Sequence, residues 1–563
     1  MKLCQIIKIT LIAFTMTGLM SCVPADHAEV IFQNGNIYTM DENNPVATAV
    51  AVKGGKYIFV GDDEAVLEYA NAKTKIIDLE GLTVIPGLTE SHIHFSSVGE
   101  NILTAPLDVY WLPVDEIKEA IKEAVGKSEP GEWIRARGYN DAIWDVAAHR
   151  DFLDEVSPDN PVVLRRYCGH NLFVNSKALE IAGIADETPD PQAGTIVRDS
   201  QGVPTGVLVS AAGLLVTHHI PPTPELTREE KLKALSLGND ALLASGITTV
   251  HDATATGVET IDLRKEAYEK GLLKVRVMDA VHYETAMEMG KTKTGLFDDR
   301  YSVRWVKMFV DGSLGGRGAA LLEEYDDMPG EKGALREIGQ NVDKYAAKVA
   351  DLLEIGFSTR THSIGDRGNR ATLDAFEKAM EIAGKSGEEA RLVVEHAQVL
   401  HPDDIKRFGE SGIIASMQPV HATEDMLFVE ERIGIERAKY AYAWRSLLDN
   451  GTIICGGSDY GVSPFNPFYG LHAAVTRQDR NNNPPNGWFA EQAMTREEAL
   501  KAYTVWPAYV EFSEDNKGPI SEGNIADFLV IDRDYFVIPA EEIHEIKVLR
   551  TVVGGETVFE KSE

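Results

Sequence analysis

The 563 residues predict an α/β fold: a (β/α)8 barrel of the TIM type, with a small composite β-sandwich domain from both termini and an inserted α/β subdomain. Three observations predict it. Eight short apolar runs alternate with helical stretches and end in polar residues, as parallel strands with crossover helices require. Hairpin grammar occurs only near the two ends. One connection of roughly 150 residues is far too long for a crossover helix, and improbable as a structureless loop.

In chain order, the first run is Thr83-Val-Ile-Pro86, leading to His92 and His94, and the second is Ile247-Thr-Thr-Val250, leading to His251 and Asp252. Val275 to Val281 leads to His282, and Val303 to Val310, with Lys307 inside it, leads to Asp311. Phe357 to Thr361 precedes His362, and Leu392-Val-Val-Glu395 precedes His396. Ile413 to Met417 precedes Gln418 and His421, and Thr452-Ile-Ile-Cys455 precedes Ser458 and Asp459. The barrel spans 83–516, and function in such a fold collects at the C-terminal strand ends.

Val30-Ile-Phe, Asn34-Gly35-Asn36, Ala49 to Lys53, the Gly54-Gly55 turn and Tyr57 to Val60 read as strands and hairpins. The pattern returns in Ala526 to Asp532 and Thr551 to Phe559. Two or three strands cannot bury a face alone, so 28–82 and 517–563 are expected to form one domain. The long connection holds a helical pattern at Val114 to Lys127, a strand-like Pro161 to Arg165 and a helix near Asn175 to Ala182. It reads as a subdomain over 107–224, lying on the barrel mouth.

Lys2 and Lys8 precede an apolar run, Ile9 to Leu19, too short to span a bilayer. Residues 1–22 therefore read as an export segment. Leu19-Met20-Ser21-Cys22 resembles a bacterial lipobox, in which Cys22 is lipidated, and a secretory signal cleaved before Asp26 is the alternative. Both place the protein outside the cytoplasm, in the periplasm or anchored to a membrane through Cys22. Only Cys168 and Cys455 then remain, with no disulfide framework or zinc-thiolate spacing. A net charge of −33 argues against nucleic acid as a partner. Oligomeric state is open, a homo-oligomer included.

In His92-Ile93-His94, residues two apart on a strand project to one face, so both imidazoles can reach one ion. Lys307 sets an amine in an apolar strand, where burial demands a partner or a lowered pKa. It either snorkels outward or serves a site. His362, His396 and Asp459 end further strands. Nitrogen and oxygen donors without thiolate suit Zn2+, with Mn2+, Fe2+ or Co2+ as alternatives.

Pro86-Gly-Leu-Thr-Glu90-Ser-His92-Ile-His94 resembles the opening motif of the amidohydrolase superfamily, with Glu90 where Asp is usual. Lys307 to Gly315, His362-Ser-Ile-Gly-Asp366, Glu395-His396-Ala397, Gly457-Ser458-Asp459 and Gly523-Asn-Ile-Ala-Asp527 are similar to its later motifs, in the branch of YtcJ-like proteins and N-substituted formamide deformylases. The resemblance implies one metal on His92, His94, Lys307 and Asp459 and a second on Lys307, His362 and His396. Lys307 would be carboxylated and bridge the two. His170, in a segment resembling the branch's insertion, and Arg317, in a glycine-rich loop that departs from the family at Gly316 and Gly318, are implied substrate contacts. His251, His282 and His421 read as substrate-facing or structural.

Two divalent ions would supply hydroxide near neutral pH, and Asp459 would carry its proton to the departing amine. The expected activity is hydrolysis of a non-peptide C–N bond in a small amide, with deformylation or deacylation favoured. A deaminase or an ester or phosphoester hydrolase on the same barrel is the alternative, and a noncatalytic lipid-anchored solute-binding protein is the alternative from another class. Gly456-Gly-Ser458-Asp-Tyr460 does not complete a nucleophile elbow. Trp111, Tyr139, Trp144 and Trp488 hint at an aromatic substrate moiety, although large aromatics more often pack a core.

Overall fold

A computed structural model describes residues 27–104, 107–110, 112–167, 171–191, 194–221 and 225–562. The export segment with Cys22, together with Trp111, Cys168 and His170, lies outside these residues. Among the described residues no helix is long and apolar enough to cross a membrane.

Eight parallel strands follow one another around a nearly closed barrel: β1 (Leu88–Ile93), β2 (Ile247–Thr256), β3 (Arg276–Val281), β4 (Tyr301–Phe309), β5 (Ser358–Ser363), β6 (Val393–His396), β7 (Ile414–Met417) and β8 (Ile454–Gly456). Every neighbouring pair from β1 to β8 is parallel. The row closes where Ile93 bridges Tyr460 in parallel and the Asp459 N–H donates to the His92 carbonyl at 2.7 Å. Helices cover the outside, so both faces of these strands are buried and their sequences read as continuous apolar runs.

One expectation is corrected. Thr83–Pro86 is not the first barrel strand; it pairs antiparallel with Phe528–Ile531 in the composite sheet. Gly87 follows, and the chain enters the barrel at Leu88. Both segments are apolar and contiguous, so only the Pro-Gly step between them marks the change of sheet.

The terminal domain contains a four-stranded sheet and a six-stranded sheet, and the latter joins an N-terminal half, with Asn36–Tyr38 and Thr83–Pro86, to a C-terminal half through the pairing of Thr83–Pro86 with Phe528–Ile531. Phe32, Ile37, Val84, Phe528 and Val552 share its core. A buried ion pair, Arg276 Nε to Asp527 Oδ2 at 2.7 Å, ties it to β3.

The insertion leaves after helix α1 (Phe95–Thr104) and returns before helix α2 (Arg228–Ala244). These helices pack so closely that a Cβ on Gly99 would lie 1.6 Å from the Ala234 carbonyl oxygen. The insertion builds its own six-stranded sheet and two apolar cores. It reaches the barrel mouth through Arg137, whose guanidinium sits 4.7 Å from the ring centre of Tyr460, the residue after Asp459.

Candidate metal centre

His92 lies at the end of β1 and His94 directly after it, and their Nε2 atoms lie 3.5 Å and 3.2 Å from the same oxygen, Oδ1 of Asp459. On the other side, the rings of His362 on β5 and His396 on β6 have centroids 4.5 Å apart, and His396 is 5.0 Å from His92. Ligand atoms of His92, His396 and Asp459 all fall within 4.8 Å of one another. Strands one, five, six and eight thus converge on one point.

Lys307 faces inward. On β4 it pairs in register with Arg360 of β5, and two residues on, Phe309 pairs with His362. Its amine is buried and makes no hydrogen bond or ion pair among the described residues; the Phe309 ring centre is 5.2 Å away. Burial lowers its pKa, only partly offset by the carboxylates of Glu395 and Asp459. The snorkelling alternative is thereby removed.

Each of three imidazoles is held by its far nitrogen. Nδ1 of His92 pairs with Glu395, Nδ1 of His396 with Gln418 Oε1 at 2.8 Å, and Nδ1 of His94 with Thr254 Oγ1 at 2.8 Å. With Nδ1 engaged, Nε2 keeps its lone pair for a cation. Nε2 of His362 is buried and makes no hydrogen bond among the described residues, although the Asp311 carboxylate stands 3.7 Å away. A buried orphan nitrogen is costly unless something outside the chain satisfies it. Orphaned nitrogen, unpaired amine and clustered carboxylate together fit a divalent cation.

Electrostatics keep His362, His396 and Asp459 in ligating form, while at His94 burial pulls downward but the hydrogen bond and charge of Asp459 prevail and raise the imidazole above its ordinary value. Burial, then the charge of Lys307, pushes His362 down to about 3. Burial and neighbouring His362 hold His396 well below its ordinary value. For Asp459 burial pulls upward, but His92, His94 and His396 prevail and hold the carboxyl well below the usual range.

The backbone is bent to the same end. His396 has φ 72° and Asp459 φ 55°, left-handed conformations that cost an L-residue roughly 1–3 kcal/mol and collect at functional sites. Glu90 stitches the seam between β1 and β8: its Oε1 accepts from the Ser458 N–H at 2.8 Å and the His92 N–H at 3.2 Å. Burial raises its carboxyl to about 8.

Other sequence candidates separate clearly. His421 is buried and lies parallel to His396, centroids 6.4 Å apart, with Nε2 unpartnered. His251 is not at the substrate face: its Nε2 bonds Glu511 Oε1 at 2.7 Å and its Nδ1 meets Arg360 at 2.8 Å. His282 is exposed at the start of the helix Tyr283–Met289. Arg317 is clamped by Asp327, with distances of 2.5 Å and 3.2 Å, and Arg432 shares that carboxylate. Tyr139 and Trp144 pack with Phe173 inside the insertion, and Trp488 is buried, donating to Glu430 Oε1 at 2.9 Å. These aromatics are core. Glu395 and Arg360, by contrast, were missed as functional residues. An acidic residue directly before a ligand-like histidine was the available signal for the first.

A parallel barrel gathering imidazoles, a lysine and an aspartate at its C-terminal strand ends defines a hydrolase of the metal-dependent barrel class. Residues 75–559 match the Amidohydrolase family, and the chain belongs to it. It is 32% identical over 541 residues to YtcJ of Bacillus subtilis (strain 168), covering 95% of this chain and 100% of that one. To the N-substituted formamide deformylase of Arthrobacter pascens it is 28% identical over 556 residues, covering 95% and 99%. The crystal structure of an uncharacterized metal-dependent hydrolase from Pyrococcus furiosus is similar with TM-score 0.66 at 26% identity, covering 90% of this chain and 99% of that one.

Proposed function

We propose that this hydrolase cleaves a non-peptide C–N bond in a small amide, with a formamide or N-acyl amine as the favoured substrate class. One observation carries the reading: Asp459 Oδ1 stands within 3.5 Å of two imidazole nitrogens whose opposite ring edges are both held. A pure binding protein has no need of a proton acceptor there. Similarity along nearly the whole chain to a protein named N-substituted formamide deformylase supports the choice of bond.

In this reading His92, His94, Lys307, His362, His396 and Asp459 hold the cations, two Zn2+ per chain, with Lys307 carboxylated. Bound divalent cations acidify water and polarise a scissile carbonyl. Asp459 then takes the proton of the attacking water at its carboxylate and returns it to the amine nitrogen, the poor leaving group in amide hydrolysis. Its position beside His94 and His92 orients it for both transfers. His421, its ring stacked 6.4 Å from that of His396 and its Nε2 without a hydrogen-bond partner among the described residues, is the substrate contact of this reading. The Arg137 guanidinium of the insertion, 4.7 Å from the Tyr460 ring centre, puts a cation beside the residue that follows Asp459.

Export through residues 1–22, with lipidation at Cys22, belongs to the same proposal. Fractionation of cells expressing the full chain and Cys22→Ala tests it: release of the variant from the membrane is expected, and identical soluble behaviour of both overturns lipidation. For the reaction, purified protein loaded with Zn2+ is offered a panel of formamides, N-acyl amines, cyclic amides, amino-substituted heterocycles and esters. Turnover confined to the amides is expected. Preference for esters or ring amines overturns the bond assignment.

A further inference from the structure

Beneath the proposed centre lies a guanidinium that the mechanism above does not use. Arg360, on β5, is fully buried. Its Nε donates to Oε1 of Glu395 on β6, and one terminal nitrogen donates to Nδ1 of His251 on β2 at 2.8 Å. The other donates to the Ser91 carbonyl on β1 at 2.5 Å and to Ser416 Oγ on β7 at 3.0 Å. The Trp305 ring of β4 covers it at 4.7 Å. Strands β1, β2, β4, β6 and β7 therefore all meet this one side chain of β5.

A buried guanidinium is tolerated only when its donors are matched, and well-packed apolar side chains often serve stability as well or better. Cross-strand cohesion alone is thus a weak reason for it. What an apolar residue cannot do is aim a carboxylate. Glu395 accepts from Arg360 with one oxygen and faces Nδ1 of His92 with the other. Without Arg360, that first oxygen is buried without its charged partner and the carboxylate is free to turn from His92.

The guanidinium is itself held from below. Since Arg360 donates to Nδ1 of His251, that nitrogen is bare, and the ring proton sits on Nε2, which donates to Glu511 Oε1 at 2.7 Å. Glu511 Oε2 accepts from Lys517 Nζ at 2.5 Å, and Lys517 reaches Thr249 Oγ1 at 3.2 Å. An unbroken hydrogen-bonded chain thus runs from a segment beyond the last barrel strand to His92.

We infer that Arg360 is a positioning residue for the metal centre: it aims Glu395 at His92, fixes the His92 proton on Nδ1 and leaves Nε2 to the cation, while His251, Glu511 and Lys517 hold it in place. The inference rests on the assignment of His92 as a metal ligand. A group that holds a metal-bound histidine, here Glu395, typically governs about 10- to 100-fold in affinity, and Arg360 acts through it.

The test measures Zn2+ affinity by chelator competition, and the ligand-field absorption of Co2+-loaded protein, for wild type, Arg360→Met and Glu511→Gln, with circular dichroism and melting alongside. Zn2+ binding weaker by up to about 10-fold and a shifted Co2+ band are expected for Arg360→Met, which acts one step further from the metal than the direct partner Glu395. Glu511→Gln is expected to move both in the same direction by a smaller factor. Wild-type protein that binds no Zn2+ overturns the ligand assignment itself. Wild-type binding with unchanged affinity and Co2+ band in the variants overturns the positioning role alone, whatever happens to melting. If Arg360→Met does not fold, Glu511→Gln, which preserves side-chain size, decides.

Discussion

The N–H of Asp459 donates to the carbonyl of His92 at 2.7 Å, so the last barrel strand is tied to the first where both present ligand atoms. Closing the barrel and assembling the centre are one event. Gly457 makes the approach possible, because a Cβ there would lie 2.6 Å from the His92 nitrogen and 2.7 Å from Glu90 Oε1. Gly457→Ala is therefore expected to destabilise the protein by roughly 1–3 kcal/mol, the usual cost of overpacking, and to weaken Zn2+ binding. Urea unfolding and chelator competition read the two effects, and a variant with wild-type values in both contradicts the coupling.

Asp459→Asn separates binding from turnover. Asparagine keeps an oxygen at the ligand position but cannot accept and return a proton. Zn2+ retained with kcat lowered about 10²- to 10⁴-fold is expected. Equal turnover by the variant refutes the proton role.

Lys307 makes a chemical prediction. The amine is buried and makes no hydrogen bond or ion pair among the described residues, and burial lowers its pKa, which raises the share of neutral amine on which the proposed carboxylation by CO2 depends. Refolding in CO2-depleted buffer is expected to give protein with less bound metal, restored by bicarbonate. Lys307→Met is expected to keep the fold and to be indifferent to bicarbonate. Metal content independent of bicarbonate in the wild type contradicts carboxylation.

The barrel interior also sets acid sensitivity. Burial holds His251 at about 4 against an ordinary 6.5, so between those values the unfolded chain binds the extra proton and stability falls as pH falls. Glu511 is held at about 2 against 4.5: burial pulls upward, but Lys517 and His251 prevail. Its contribution is complete above 4.5 and disappears as pH drops toward 2. The His251 share is on the order of 3 kcal/mol at neutral pH. Urea unfolding of wild type and His251→Gln at pH 7.5, 5.5 and 4 checks it. The expected difference in slope lies between 6.5 and 4, with the variant flatter; parallel curves contradict it.

Much of this was legible in the sequence, for identifiable reasons. Barrel strands announce themselves because each is largely apolar until it reaches the mouth, and Lys307 stands out as an amine within the apolar run Trp305 to Val310. Thr83–Pro86 misled because a sandwich strand and a barrel strand with both faces buried carry the same apolar signature. His251 and His92 are both histidines on apolar barrel strands. What separates them is Glu511, 260 residues further on, a pairing no local pattern encodes. Arg360 hid for a similar reason: Ser-Thr-Arg-Thr reads as a polar strand end, and only register with Lys307 and Val393 turns it inward.

The account stands on rings from opposite sides of the barrel serving one centre. Zn2+ titration of metal-depleted wild type, His92→Ala and His362→Ala tests this most directly. Tight binding by wild type and about 100-fold loss or more in each variant is the predicted result, since ligand loss must exceed loss of an outer partner. A variant that binds Zn2+ as wild type does would show that His92 and His362 do not share a site.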